Sequence, residues 1–120
     1  MERKFNIRIV ANTASTREKG LMHSSPLDDD EVAFFVFPYA NKYAFWNKNV
    51  DYNLSLAFLD ESMKIVHFAD LNAQQTKSVG PDKDVRFVIE AKQGVFEKLG
   101  INRGDIVKYN TDNTLIIKKG

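Results

Sequence analysis

The sequence contains no cysteine, only two histidines and no long apolar run. Without cysteine the chain can form no disulfide, thiolate metal site or cysteine nucleophile. His23 and His67 stand apart, without the further ligands that zinc requires, so we expect no metal and no cofactor. No segment approaches the roughly 20 apolar residues of a membrane span, and no signal-peptide core is present. We therefore expect a cytoplasmic protein that does not bind membranes, with an exported protein whose signal has been removed as the alternative.

An excess of charge of one sign is also lacking, since 17 basic and 16 acidic residues are interspersed and the formal net charge is +1. Nucleic-acid-binding domains usually carry a basic stripe with aromatic residues set into it, so we expect no nucleic-acid partner. The acidic run at residues 28–31 lacks the spacing and the glycine of a calcium loop and is interpreted as a solvated turn. Because the motifs of serine hydrolases, phosphate loops and dinucleotide-binding folds are missing, the sequence predicts no catalytic residue.

The chain does have apolar residues, arranged in short runs. Of its 120 residues 43% are hydrophobic, and nine are phenylalanine. A chain of this length buries about two-thirds of the surface that its unfolded form exposes, which is enough for one core. We expect a single domain over residues 1–120, as a monomer or a weak homo-oligomer.

The apolar runs alternate with polar residues or are rich in β-branched and aromatic residues, which indicates strands. Ser15 and Glu18 have the spacing of a capping box at a helix start, and residues 95–99 predict a second short helix. Residues 71–83 form a long polar loop, and a loop of that length is either mobile or functional. The pattern predicts a mainly β fold, either an antiparallel sandwich or a partly closed barrel with one or two short helices. The predicted strands are residues 5–9, 32–38, 43–50, 54–60, 63–68, 85–91, 106–109 and 115–117.

The central predicted strand carries the most concentrated chemistry in the sequence. It contains the only tryptophan, Trp46, followed by Asn47, Lys48 and Asn49. Because side chains alternate along a strand, Trp46 and Lys48 are predicted to share one side and the asparagines the other. One interpretation is structural, with Trp46 half-buried under the Lys48 stem and the asparagines in a turn. The other is a shallow binding site in which Trp46 stacks on a ligand, Lys48 meets an anion and an asparagine donates hydrogen bonds.

Four segments occur in an order that resembles the family called domain of unknown function 192. They are the Gly-Leu-Met at residues 20–22, the Phe-rich run 34–38, the Phe-Trp-Asn-Lys-Asn at 45–49 and the Phe-Leu-Asp at 58–60. The resemblance extends from about residue 5 to residue 107. It implies a small, mostly β domain of sandwich-like architecture, and it implies no particular activity.

The resemblance also suggests which residues would belong to a shared site. Those that match the family pattern are Met22, Trp46, Lys48 and Asn49, and we predict them as ligand-binding residues. The chain departs from the pattern elsewhere, and Ser55 stands where the family has Asp. That difference counts against a shared acid–base role.

Our leading hypothesis is a non-enzymatic domain that binds a small polar or anionic ligand across the face of Trp46 and Lys48. An interaction or scaffold domain without a small ligand is the second. A hydrolase or carbohydrate-active enzyme is the third, and it would use carboxylates such as Asp51, Asp60 or Glu90. It would require two of them to face each other within about 10 Å, one kept protonated by burial.

Overall fold

Seven strands and two short helices form the structure. The computed structural model describes residues 2–120. Each strand predicted from the sequence is confirmed except that at residues 43–50. In chain order the elements are β1 (Glu2–Ala11), α1 (Ala14–Lys19), β2 (Glu31–Asn41), β3 (Leu54–Leu59), β4 (Ile65–Leu71), β5 (Val85–Lys92), α2 (Val95–Lys98), β6 (Ile106–Asn110) and β7 (Thr114–Lys118).

All seven strands belong to one sheet, in the order β4-β3-β5-β2-β1-β7-β6. The two edge strands approach each other at one end of this sheet. Lys64 and Ile106 form an isolated bridge there, and the Ile65 amide donates to the Asp105 carbonyl at 2.9 Å. The sheet is thus curled into a half-barrel. Of the two predicted architectures, the partly closed barrel forms, because one sheet curls on itself and no second described sheet packs against it.

The pairing of β1 with β2 is parallel, whereas the other neighbouring strands are antiparallel. A parallel pair needs a crossover connection, and residues 12–30, which include α1, supply it. The predicted predominance of antiparallel pairing is confirmed. The parallel pair was not predicted, because α1 has six residues and leaves little helical periodicity in the sequence.

The cap of the first helix is Thr13, two residues before the predicted Ser15. Its hydroxyl accepts from the Thr16 amide at 3.1 Å, and the Thr16 hydroxyl accepts from the Thr13 amide at 3.0 Å. The predicted capping box of Ser15 and Glu18 is therefore wrong. Thr16 replaces the usual Glu or Gln because its hydroxyl can reach back to the cap.

The two faces of the half-barrel are covered in different ways. The interior face carries alternate side chains of the strands, including Val32, Phe34 and Ile89, packed around the barrel centre. The opposite face, which we call the loop-covered face, carries Ala33, Phe35 and their neighbours beneath the segments that connect the strands. Because both faces are covered, every residue of β3 is buried. This accounts for its near-continuous apolar sequence.

Residues 43–50 are not a strand, which corrects the prediction that they form a central one. Within this segment only Phe45 forms a β-bridge, an isolated one with Val79. Asn47 uses its side chain to bond to backbone carbonyls, and Asn49 has a left-handed φ of 62°. Both features compete with a continuous ladder, so the segment lies as an extended loop over the loop-covered face.

Candidate functional site

A cavity of about 410 Å³ opens on the loop-covered face, beside Trp46. It lies between the end of α1, strands β2 and β5, and residues 43–50. Its walls combine aromatic and aliphatic side chains with three basic and two acidic ones. The lining residues are Arg17, Glu18, Lys19, Gly20, Leu21, Met22, Phe35, Phe37, Ala44, Phe45, Trp46, Asn47, Lys48, Val50, Ser78 and Glu90.

The end of α1 forms one wall of this cavity. Gly20 follows the helix with a φ of 48°, which glycine adopts without a steric penalty. A Cβ at this position would lie 3.4 Å from the Phe35 ring, so the turn also passes close to the sheet. Leu21 is then buried against the loop-covered face, and Met22 is partly buried and lines the cavity.

Two basic side chains at the cavity lie over aromatic rings. The Arg17 guanidinium lies 5.2 Å from the centre of the Phe37 ring, and its Nη1 donates to the Val36 carbonyl at 2.9 Å. The Lys48 ammonium lies 5.4 Å from the centre of the Trp46 ring. Trp46 is 45% exposed although it is a large apolar side chain. The cavity opening therefore carries an accessible aromatic face with positive charge next to it.

Phe45 attaches residues 43–50 to the sheet. Its amide and carbonyl bond to Val79 at 2.8 and 2.9 Å. Its ring meets Phe35 edge-on at 5.0 Å and Phe58 at 5.9 Å. Edge-to-face contacts of this kind stabilise by about 0.5–1.5 kcal/mol beyond their buried area. The aromatic wall of the cavity is thus held by both backbone and ring contacts.

The two asparagines of this segment have different positions. Asn47 is 1% exposed, and its Nδ2 donates to the carbonyls of Tyr52 and Asn72, both at 2.9 Å. Both of its amide hydrogens are therefore used within the protein. Asn49 is exposed and outside the cavity lining, and its amide donates to the Gln74 side chain at 3.1 Å.

The polar loop between β4 and β5 supports the cavity from behind. The Gln74 amide donates to the Val50 carbonyl at 2.8 Å, and the Asn47 amide donates to the Gln75 carbonyl at 2.7 Å. Gly80 passes so close to residue 43 that a Cβ would lie 2.6 Å from the Tyr43 carbonyl oxygen. The loop contributes Ser78 to the lining. Hydrogen bonds fix it to residues 43–50 at Asn72, Gln74, Gln75 and Val79.

Glu90 of β5 lies in the cavity wall with its side chain 4% exposed. It pairs with Ala33 and Leu56 on the neighbouring strands, which places it on the loop-covered face. None of residues 2–120 donates a hydrogen bond to its carboxyl group. Burial raises the pKa of Glu90 from 4.5 to about 8. The group is therefore mostly protonated at neutral pH and can both donate and accept.

The structure brings three of the four predicted ligand-binding residues together. Met22, Trp46 and Lys48 line the cavity, whereas Asn49 supports the adjoining turn. From the sequence, Glu90 is expected to act only under the enzyme hypothesis, as one of its carboxylates. The signal that points to it is a single carboxylate inside the otherwise apolar run at residues 87–91. No His, Asp and Glu groups in the described part of the chain are arranged to hold a metal ion. No helix within residues 2–120 is long and apolar enough to cross a membrane.

Comparison with known proteins gives the family. The profile of domain of unknown function 192, described as an uncharacterized ACR, matches residues 2–109. The chain belongs to this family. The resemblance seen in the sequence is thereby confirmed, and it covers the half-barrel through β6. No curated protein matches the chain.

Two solved structures share the fold of this member of the domain of unknown function 192 family. A protein described as a candidate transcription regulator, from Sinorhizobium meliloti 1021, is 22% identical and superposes with a TM-score of 0.80, over 88% of each chain. A protein of unknown function from Novosphingobium aromaticivorans DSM 12444 is 25% identical, with a TM-score of 0.81 over 86% of this chain and 75% of the other. At these identities the similarity concerns the fold.

Proposed function

We propose that this domain binds a small polar or anionic molecule in the cavity beside Trp46. The observation that carries the proposal is the lining of this cavity of about 410 Å³, because cavities of 430–540 Å³ elsewhere on the chain lack its combination of the exposed Trp46 with three basic side chains. Ligand sites are usually clefts of roughly 300–1,000 Å³ with apolar walls and a few polar groups. A scaffold domain would instead offer a flat apolar patch at this position.

The side chains at the cavity suit a ligand with a flat or apolar part and a negative group. Trp46 offers a face on which a ring or a planar group can stack. Lys48, Arg17 and Lys19 place positive charge around the opening. Met22 supplies a flexible apolar wall that adapts to ligand shape.

The hydrogen bonds behind the cavity support binding because they fix its shape in advance. Residues 43–50 and the loop after β4 are joined by backbone bonds and by the Asn47 side chain. A pre-formed site loses less conformational entropy when a ligand enters. Asn49 contributes to the proposed site through this support.

The enzyme hypothesis requires a second carboxylate facing Glu90. Glu18 lines the same cavity but is exposed, so burial does not set it apart as a second acid, and Asp51 and Asp60 lie outside the cavity lining. Asp51 accepts from the Gln74 side chain, and Asp60 accepts from the amides of Ser62 at 2.9 Å and Lys64 at 3.1 Å. Their engagement elsewhere favours a binding role over hydrolysis by a carboxylate pair.

The test is a two-dimensional amide NMR titration of the full chain with sugars, nucleotides and small carboxylates. A ligand is expected to shift the Trp46 indole, Met22 and Lys48 signals. Trp46→Ala and Lys48→Ala should each weaken its binding by roughly tenfold, the effect of losing about 1.4 kcal/mol of contact. Tyr39→Ala is the matched control, because Tyr39 is 61% exposed and lies outside the cavity. Binding that survives both substitutions unchanged would place the site elsewhere, and a spectrum that no compound moves would favour the scaffold hypothesis.

A further inference from the structure

Glu90 differs from the other buried carboxylate of the chain. Asp105 is also buried, but it accepts from the Asn102 amide at 2.8 Å and lies 3.0 Å from the Lys119 ammonium. Glu90 has no such partner among the described residues, although the residue is buried to a similar degree, and its oxygen atoms are not fully shut off from the cavity space. A carboxyl in such a place destabilises the fold, because its charged form loses most of its water and gains no hydrogen bond from these residues in return. The position is therefore poorly explained by folding alone.

The surroundings of Glu90 are those in which a bound ammonium group would be stabilised. The carboxyl is part of a wall whose other members include Phe35 and Phe45. Aromatic faces attract organic cations, and the attraction increases when the cation leaves water. A bound ammonium group would favour the ionised form of Glu90, so that the proton held in the empty cavity leaves and the carboxylate accepts a charge-assisted hydrogen bond, which is stronger than one between neutral groups. Glu90 and the rings together would replace the hydration shell of an ammonium group.

The cavity opening favours negatively charged groups, whereas the region around Glu90 favours a positively charged one. Arg17, Lys19 and Lys48 line it together with a single exposed carboxylate, Glu18. A ligand with positive charge alone would be repelled on entry, whereas a ligand with a negative group is attracted. The two ends of the cavity therefore differ in the charge that they favour.

From this juxtaposition we infer that the cavity takes a small zwitterion, with its ammonium group at Glu90 and its anionic group at Lys48 and the neighbouring basic side chains. The inference rests on the proposed ligand-binding function and names the ligand class for the same site. An amino acid with separated amino and acidic ends, or a compound of similar charge distribution, has this chemistry.

The test compares three probes of equal chain length, namely ε-aminocaproate, caproate and hexylamine, by calorimetry on the full chain. The zwitterion is expected to bind more tightly than either singly charged probe. Glu90→Gln should weaken binding of the zwitterion by roughly tenfold to a hundredfold, as expected for the loss of one hydrogen bond to a charged group. The affinity for caproate should stay within about twofold of the wild-type value. Glu97→Gln, which removes an exposed carboxylate outside the cavity, is the matched control.

The outcomes separate this inference from the proposed function. Caproate binding as tightly as ε-aminocaproate, or equal zwitterion affinity in Glu90→Gln and wild type, overturns the zwitterion while leaving a binding site intact. Failure of these probes and of the NMR library to bind removes both proposals. If Glu90→Gln does not fold, the order of the three affinities on the wild-type protein decides the matter alone.

Discussion

The interior face and the loop-covered face of the half-barrel bury similar apolar side chains but satisfy their polar groups differently. In the interior, strand ladders bond the backbone and the side chains that meet are apolar, as with Phe34 and Ile89. On the loop-covered face, the covering segments have few ladder bonds of their own. Their carbonyls depend on side chains such as Asn47, and the buried Glu90 lies among them.

This difference accounts for the space beside Trp46, although a cavity of about 540 Å³ also opens on the interior face, beside Phe34 and Tyr109. Buried backbone groups must find hydrogen-bond partners, and a loop meets this need at a few fixed points instead of at every residue. Between those points the covering segments cannot pack as closely as a strand, and space is left. Both faces thus have a cavity, and the one on the loop-covered face lies beneath segments that are held by a few fixed hydrogen bonds.

The largest expected effect comes from truncating the interior. Phe34 is fully buried and stacks near Phe87 at 6.0 Å and Tyr109 at 5.4 Å. Phe34→Ala should lower the free energy of unfolding by about 3–5 kcal/mol through lost burial and the void that remains. Denaturant unfolding measures the loss, and the NMR signal of the Trp46 indole should remain in place.

The neighbouring residue gives the matched comparison. Phe35 is equally buried but lies on the loop-covered face, where its ring contacts Phe45. Phe35→Ala should destabilise to a similar degree and also move the Trp46 indole signal. If Phe34→Ala moves that signal and Phe35→Ala does not, the environment of Trp46 depends on the interior face and not on the loop-covered face.

The second-largest expected effect is a pH dependence of the free energy of unfolding, caused by Glu90 on the loop-covered face. Burial raises the pKa of Glu90 from 4.5 to about 8, so between these pH values the folded chain holds a proton that the unfolded chain has lost. The penalty for burying the charged form is absent below the lower value and grows as the pH rises towards the upper one, so stability is lost over this window. The free energy of unfolding should fall by up to about 1.4 kcal/mol per pH unit in this window.

Comparison of variants isolates the contribution of Glu90 from that of other groups. In Glu90→Gln the slope from about pH 5 to about pH 8 should be lost, because the amide does not ionise. Glu97→Gln, an exposed change, should keep the wild-type slope. Equal slopes in all three proteins would mean that Glu90 reaches water more readily than its burial indicates.

The sequence allowed much of the interior to be predicted and only part of the site. Strand alternation depends on neighbours in the chain, so the strands around Phe34 and Ile89 followed from the pattern alone. The predicted alternation at residues 45–48 is also found, with Phe45 and Asn47 turned inward and Trp46 and Lys48 outward, because the segment is extended. The segment is a loop and not a strand because of its hydrogen bonds to residues far along the chain. A local sequence pattern carries no information about those bonds.

Glu90 is a second case in which a local sequence pattern does not predict contacts with distant segments. Its apolar neighbours indicated a buried strand, but whether its own carboxyl points to solvent or to a covered cavity depends on the segments laid over the sheet. Those segments come from residues 20–27 and 43–52, which are distant in sequence. The cavity therefore depends on how these distant segments pack over the sheet.

The smallest of the expected effects tests whether a single side chain supports the covering loops. Asn47→Ala removes both donors to the Tyr52 and Asn72 carbonyls and leaves these groups without their partner. The expected cost is about 1–3 kcal/mol of stability, since a buried acceptor that loses its bond keeps the cost of its lost hydration. Hydrogen exchange should accelerate first at the loop amides, such as that of Gln74, before it does in β5. Asn53→Ala is the matched control, because Asn53 is an exposed asparagine that accepts one bond at 2.8 Å from the same loop. It should cost less than Asn47→Ala, and equal losses from the two would show that the loops are held by their backbone bonds alone.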